Sequence, residues 1–379
     1  MSGIINIALI GCGFVADYYL LTLRQTPGLR VNGVFDRDTD RCRHLSARYG
    51  LRAYGSLDEA LHDPDVSIIL NLTNPRSHFE ISHAALEAGK HVYSEKPLAM
   101  EMSQAKLLVE LAQSRGLLIS SAPCSLLGET AQTAWKALRE NAIGPVRVAY
   151  AEMDDGPVHL MRYRNWISAS GIPWPWKDEF EIGCTLEHAG YYLPWLLAFF
   201  GPATSVTSFA STRIADKLTD APLQPNAPDF SVACIQHASG VVSRLTCSII
   251  APHDHSLRIV GDLGVLAVRD SWNYRSPVSV KKWKTFRRRT FLSPLAKRLP
   301  LLKSAQALPR TGGSQVMAFA RGPQEMADAL RGSRPNRLAS DFSLHMTELA
   351  LAIHRADESP GHHVLATTFQ AIRPMDWAS

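Results

Sequence analysis

Apolar and polar positions alternate between two rhythms along the first third of the chain. Ile4 to Ile10 is an almost unbroken apolar run ending in a glycine turn, as a buried strand does. Residues 14–25 then carry helical spacing. Arg30 to Phe35 reads as a second strand closed by Asp36, and residues 39–49 as a second helix. Ser56 to Leu61 begins a short helix. Val66 to Leu72 is apolar and rich in branched residues, so it predicts a buried strand. His78 to Ala88 is helical and ends at Gly89, His91 to Ser94 is a short strand, residues 101–115 form a helix stopped by Gly116, and Leu117 to Ser120 is another strand. Strands alternating with helices predict a parallel sheet covered on both faces.

The rhythm changes after residue 124. One helix, 129–141, precedes Gly144-Pro145. Strand patterns follow over 146–153, 204–211, 230–237, 241–250, 256–260 and 264–269, with Ser239-Gly240 as a hairpin turn. This predicts an α+β C-terminal domain over 124–379 with a large, mostly antiparallel open sheet, after an α/β domain over 1–123.

Composition narrows the class. At 46% hydrophobic residues the 379-residue chain can fill two cores, which excludes a wholly disordered protein. No run of about 18 uncharged apolar residues offers a membrane span. The amino terminus reads as a first strand and not as a secretion signal. Six scattered cysteines without a C-x-x-C fit reduced thiols, hence a cytoplasmic location. Residues 281–310 hold ten Lys or Arg and no acid, and removing them takes the net charge from +5 to −5. The positive charge therefore belongs to one segment and gives no reason to expect nucleic-acid binding. That segment reads as a solvated insertion, as an anion-binding flap, or as a membrane-surface helix. Leu292, Leu295, Leu299 and Leu302 recur at helical spacing, while Pro294, Pro300 and Pro309 interrupt it.

Gly11-Cys12-Gly13-Phe14-Val15-Ala16 reads G-x-G-x-x-A between a strand and a helix, the context a dinucleotide-binding Rossmann domain requires. Gly11 permits the tight turn, Gly13 lets the backbone approach a pyrophosphate, and Ala16 allows close helix–strand packing. The helix start, with Phe14 and Val15, offers amide groups to phosphate. Asp36 stands 20 residues beyond Ala16, where a carboxylate accepts ribose hydroxyls and repels a 2′-phosphate. That favours NAD. Arg37 keeps NADP open, since its guanidinium could stack on adenine or meet a 2′-phosphate.

Further motifs appear in order: Asn71-Leu72-Thr73-Asn74-Pro75 with His78 after it, then Gly89-Lys90-His91-Val92 leading into Glu95-Lys96-Pro97. With the glycine loop they resemble the Gfo/Idh/MocA family of oxidoreductases over the whole chain. The resemblance implies a nicotinamide-dependent enzyme acting on a sugar, sugar nucleotide or cyclic polyol. It also implies a homodimer or homotetramer built through the outer face of the C-terminal sheet. By position, Lys96 matches the family's active-site lysine, often on a cis Lys–Pro bond. Glu95 matches a residue near the nicotinamide, and Thr73, Asn74, Pro75 and His78 match the loop beside the cofactor. A second signature, usually G-G-x-L-x-D-x-G-x-H-x-x-D, here runs from Gly183 to Trp195 with His188, Tyr192 and Trp195 at its three polar positions. Tyrosine at the histidine position resembles the glucose–fructose oxidoreductase and dihydrodiol dehydrogenase branches, where tyrosine is the proton carrier.

Removing hydride from a carbinol carbon requires loss of the hydroxyl proton to a group within hydrogen-bond reach. Lys96 and Tyr192 are the candidates, in either order of roles. His188 and Tyr192, four apart, lie on one helix face, which lets both face the same substrate, with His188 hydrogen-bonding a substrate hydroxyl. Pro194 predicts a kink there, and Trp195 reads as packing. Arg162, Arg164 and Trp176 lie in an aromatic- and Arg-rich stretch suited to a sugar face or an anionic group, or else to self-packing. His253-Asp254-His255 and His362-His363 lack a third ligand at sensible spacing, so no metal is expected. Two other functions fit the same residues: a glycoside hydrolase that recycles tightly bound NAD, and a non-catalytic cofactor-binding sensor or scaffold.

Overall fold

The computed structural model describes residues 3–305, 308, 316–332 and 334–379. The chain divides into two compact units. The first comprises Met1–Cys124, Met161–Ile182 and Ala318–Leu351, and the second Ser125–Leu160, Gly183–Met317 and Ala352–Ser379. Two later segments thus join the amino-terminal unit, beyond a simple division after residue 123.

The first unit is built on a six-stranded parallel sheet: β1 (Ile5–Ile10), β2 (Leu29–Phe35), β3 (Arg52–Ala53), β4 (Ile68–Asn71), β5 (His91–Ser94) and β6 (Ile119–Ser121). Their order is β3-β2-β1-β4-β5-β6, so the chain reverses direction across the sheet between β1 and β4. That switch point is where open α/β sheets bind ligands. Ala8, Ile10, Ile69, Val92 and Ile119 from the strands and Leu86 and Leu108 from the helices form one core, each at most 1% exposed. Burial on both faces explains why these strands read as apolar runs. Local chemistry sets the helix ends. Asp38 accepts the amides of Asp40 and Arg41 at the start of Thr39–Tyr49, and Ser56 accepts that of Glu59 at the start of Leu57–His62.

The second unit carries a ten-stranded sheet: β7 (Val146–Asp154), β8 (Ala203–Ser211), β9 (Phe230–His237), β10 (Val242–Ser248), β11 (Leu257–Gly261), β12 (Gly264–Val268), β13 (Val278–Phe286), β14 (Arg289–Leu292), β15 (Lys297–Arg298) and β16 (Gly361–Val364). The path runs β14-β13-β12-β11-β7-β10-β9-β8-β16, with β15 on β13. Only the β7–β10 pair on this path is parallel. Gly240, at φ +83°, makes the β9–β10 turn expected at Ser239-Gly240.

Two expectations change here. The described residues of the basic segment hold no membrane-surface helix: Trp283–Phe286 pairs with Arg289–Leu292 as an exposed hairpin at the sheet edge. Alternation on a strand, not the leucine spacing, governs it, and Phe286, Phe291 and Leu295 stand exposed among its cations. Pro309 and Arg310 lie outside the described residues. The stretch after Gly183 is likewise not one helix. It breaks into Cys184–His188, a 3₁₀ turn Ala189–Tyr191, and Leu193–Phe200. Pro194 lacks the amide a continuing helix needs and instead sits in the first turn of a new one. No helix among the described residues is long and apolar enough to cross a membrane.

Candidate active site

Where β1 ends, Gly11 adopts φ +100° and its amide bonds the Phe35 carbonyl. A Cβ there would lie 2.6 Å from the Leu72 carbonyl carbon and oxygen, so only glycine lets the loop cross the end of β4. A Cβ at Gly13 would meet nothing within 4 Å, which leaves open ground beside the loop. The helix that follows, Ala16–Leu23, starts without a side-chain cap. This is the cradle a pyrophosphate needs: open space, close backbone and uncapped amides.

Asp36 closes β2 against that loop. One carboxylate oxygen accepts the Cys12 amide at 2.7 Å and the other accepts the Asp38 amide at 2.9 Å. Each oxygen keeps a second lone pair for a ribose hydroxyl. Arg37 beside it is exposed. The Cys12 thiol is buried, and burial, with Cys42 and Asp36 nearby, pushes its pKa far up, so it is an inert member of the loop.

The loop after β4 is tied inward. Asn71 accepts the Thr73 hydroxyl at 2.7 Å and donates to the His78 carbonyl and the Ser82 hydroxyl. Asn74 accepts the Ser77 amide and caps a 3₁₀ turn whose first residue is Pro75. His78 is wholly buried, with Nδ1 2.7 Å from the Pro97 carbonyl and Nε2 3.0 Å from that of Thr73. Burial holds its pKa below 6.5. Both ring nitrogens face backbone carbonyls and the one carrying the proton donates, so His78 ties the loop after β4 to the E-K-P turn and offers neither nitrogen to a ligand. Lys90, of the G-K-H-V stretch, is similarly structural, donating to the carbonyls of Asp63 and Val66.

The E-K-P turn follows β5. Glu95 accepts the Tyr19 hydroxyl at 2.8 Å on one oxygen and the Lys96 amide at 3.2 Å on the other. The Lys96–Pro97 bond is cis, as the resemblance implied. The backbone from which the lysine projects is therefore held from both sides, by Glu95 and by His78.

Residues 161–182 belong to this unit because Asp17, in the first helix, accepts the amide and hydroxyl of Ser170 at 3.0 and 2.7 Å, and the Tyr49 hydroxyl at 2.7 Å. Their aromatic residues pack on each other. Tyr163 lies within 6.2 Å of the Trp174, Trp176 and Phe180 rings, and the exposed Arg164 guanidinium sits 5.0 Å over Tyr163. Self-packing thus accounts for most of the stretch. Arg162 is exposed.

In the second unit the polar signature positions separate. Tyr192 is fully buried and donates its hydroxyl to the His255 carbonyl at 2.6 Å. Burial drives its pKa well above 10, so the phenol expected to carry a proton is committed to backbone. Trp195 is also fully buried and donates to the Ser125 hydroxyl, as packing predicted. His188 turns elsewhere. Its Nδ1 faces the Cys184 carbonyl at 3.1 Å, and its Nε2 lies 3.5 Å from Asp155.

Asp155 is the group that sequence reasoning missed. The β7–β11 pairing extends through an Asp154–Asp254 bridge, which brings Asp155 beside His253 and His255. His253 and His255, two apart on extended chain, share a face. Asp155 Oδ1 stands 3.8 Å from His253 Nδ1 and 3.4 Å from His255 Nε2. Burial alone would raise the Asp155 pKa, but the facing imidazoles of His188 and His255 hold it far down. Asp270 lies 3.7 Å from His255 Nδ1, and the Trp272 ring packs edge-on to His255 at 4.4 Å. The H-D-H alternation was readable as two imidazoles on one face. The carboxylate was not, because only strand pairing supplies it.

A glycine cradle, an acid closing β2 and a lysine turn after β5 define a dinucleotide-dependent oxidoreductase. Residues 5–122 match the family profile described as "Oxidoreductase family, NAD-binding Rossmann fold", and residues 131–267 match the "GFO/IDH/MocA C-terminal domain". The chain belongs to the GFO/IDH/MocA oxidoreductases, as an NAD(P)-dependent dehydrogenase or reductase acting on CH–OH groups. It is 30% identical over 264 residues to the trans-1,2-dihydrobenzene-1,2-diol dehydrogenase of Macaca fascicularis, covering 69% of this chain and 72% of that one. The Mus musculus protein of the same name is 25% identical over 267 residues, covering 70% and 74%. Two crystal structures share the fold. A putative NADPH-dependent oxidoreductase from Desulfitobacterium hafniense has a TM-score of 0.75 at 16% identity, over 95% and 98% of the two chains. The WlbA dehydrogenase from Bordetella pertussis, in complex with NADH and UDP-GlcNAcA, has 0.70 at 18%, over 95% and 98%.

Proposed function

We propose that this protein interconverts a secondary hydroxyl and a ketone on a sugar, sugar nucleotide or cyclic polyol, with NAD as its preferred cofactor. The observation that carries the reading is the intact E-K-P turn, fixed by Glu95 and His78 at the strand ends that also carry the glycine cradle. A nicotinamide, when bound, supplies the acceptor or donor for the hydride at the carbinol carbon.

The chain's own residues supply the rest. Lys96 takes the hydroxyl proton in oxidation and returns it in reduction, since an amine is a base once its proton is shed to solvent. His188, with Nδ1 on the Cys184 carbonyl and Nε2 facing Asp155, acts as a positioning residue that holds the Asp155 carboxylate in place. Tyr192 positions His255 and moves no proton. Asp36 binds the ribose hydroxyls and disfavours a 2′-phosphate by charge. The named sugar-nucleotide ligand of the Bordetella pertussis neighbour supports a sugar-based substrate class.

The test is a panel of sugars, sugar nucleotides and inositols, followed by NADH absorbance. Net NADH formation or consumption with at least one member, faster with NAD than with NADP, is expected, and Asp36→Ser should narrow that preference. Turnover of a glycoside with no net absorbance change would instead mark a recycled cofactor. No turnover across the panel with NAD still bound would mark a sensor.

A further inference from the structure

We propose that Asp155, His253 and His255 form a binding site for a divalent transition-metal ion of the zinc type, with one coordination position left open. One ligand atom from each of the three residues lies within 4.8 Å of the other two. Bonds of about 2.1 Å in a tetrahedral site set ligand atoms about 3.4 Å apart. Asp155 Oδ1 to His255 Nε2 is 3.4 Å, and to His253 Nδ1 3.8 Å. These two edges of a coordination polyhedron are near the ideal length and long for hydrogen bonds, and the third, between the two imidazoles, is within 4.8 Å.

His255 gives the second, independent observation. Its side chain is 1% exposed, yet neither ring nitrogen has a hydrogen-bond partner. A buried polar atom without a partner costs about 1–3 kcal/mol and calls for an explanation. A cation supplies it. Nε2 faces the shared centre, while Nδ1 faces Asp270 at 3.7 Å, the carboxylate–histidine–metal relay that fixes a ligand's tautomer. The electrostatics agree. One Asp155 carboxylate confronts three imidazoles, those of His188, His253 and His255. Asp270 adds a second carboxylate on the far side of His255, and a cation between Asp155, His253 and His255 would draw both rings' lone pairs.

The donor set selects the ion. Two imidazoles and one carboxylate suit Zn²⁺ and its first-row neighbours better than Mg²⁺ or Ca²⁺, which prefer all-oxygen shells. His253 is 58% exposed, so the ion has a way in. Three protein ligands leave a fourth position for water or an oxygen of a bound molecule. The third ligand, Asp155, comes from another strand, so the spacing of the two histidines alone does not reveal it. The inference stands apart from the redox reading, and its readout is binding, not turnover.

The experiment treats the full chain with chelator, removes the chelator, and titrates it with Zn²⁺ by calorimetry and with Co²⁺ by visible absorption. The expected result is one ion per chain, with the intense ligand-field bands of a four-coordinate nitrogen–oxygen site for Co²⁺. His253→Ala, at an exposed side chain, should abolish this binding while circular dichroism is unchanged. Asp270→Asn should weaken it about 10–100-fold. Absence of saturable binding overturns the proposal. So does binding that survives His253→Ala, including binding lost instead with the exposed pair His362 and His363.

Discussion

The first unit places its candidate groups where parallel strands stop: Gly11 after β1, Asp36 after β2, Thr73 after β4 and Lys96 after β5. The second assembles its polar cluster from lateral strand pairing, with Asp155 beside His253 and His255 because β7 and β11 run antiparallel. In a parallel sheet the strand ends lie on one edge, so chemistry can be written into short motifs that each end a strand. In an antiparallel sheet residues distant in sequence meet by register, and a one-residue slip would send Asp155 to the other face. The two units thus hold chemistry with the same precision but record it differently in the chain.

The largest effect that would sharpen this contrast comes from Gly11→Val. Its Cβ would meet the Leu72 carbonyl at 2.6 Å, and β-branching resists φ +100°. NAD binding measured by fluorescence should be lost, while circular dichroism keeps the second unit's strand signal. Retained affinity would break the cradle assignment.

Asp17→Ala should act on stability. A buried carboxylate that accepts the Tyr49 hydroxyl and the Ser170 amide and hydroxyl is removed and its donors are orphaned, which costs about 2–4 kcal/mol in denaturant unfolding. Burial works against the charged form of Asp17, but hydrogen bonds from Ser168, Ser170 and Tyr49 prevail and hold its pKa below 3.8. Its folded pKa is depressed, so its contribution is full above 3.8 and is lost as pH falls through the lower folded value. The wild-type protein should lose stability on acidification below pH 3.8 more steeply than the variant. Parallel acid profiles would show that Asp17 does not anchor the 161–182 segment.

Much of the fold was legible because its signals are local. The cofactor motifs, the helix stops and six of the second unit's strands follow from periodicity and turn residues. Three features were not. The 183–195 stretch keeps an apolar, helical pattern while Pro194 resets the helix. That turns Tyr192 toward the His255 carbonyl and His188 toward Asp155. The basic segment's leucine spacing imitates a helix, while pairing with β13 makes a hairpin. Asp155 carries no motif, since its meaning comes from its neighbours across the sheet.

The central claim is that Lys96 carries the proton in a hydride-transfer reaction and that Tyr192 does not. It is tested most directly by comparing Lys96→Met and Tyr192→Phe with the wild type on the best substrate of the panel, following NADH at saturating cofactor. Lys96→Met should lower kcat by about 10²–10⁴-fold with NAD affinity unchanged. Tyr192→Phe should lower it far less and show its main cost in thermal stability. Near-normal turnover by Lys96→Met, or a loss with Tyr192→Phe as deep as that expected of Lys96→Met, would contradict the account.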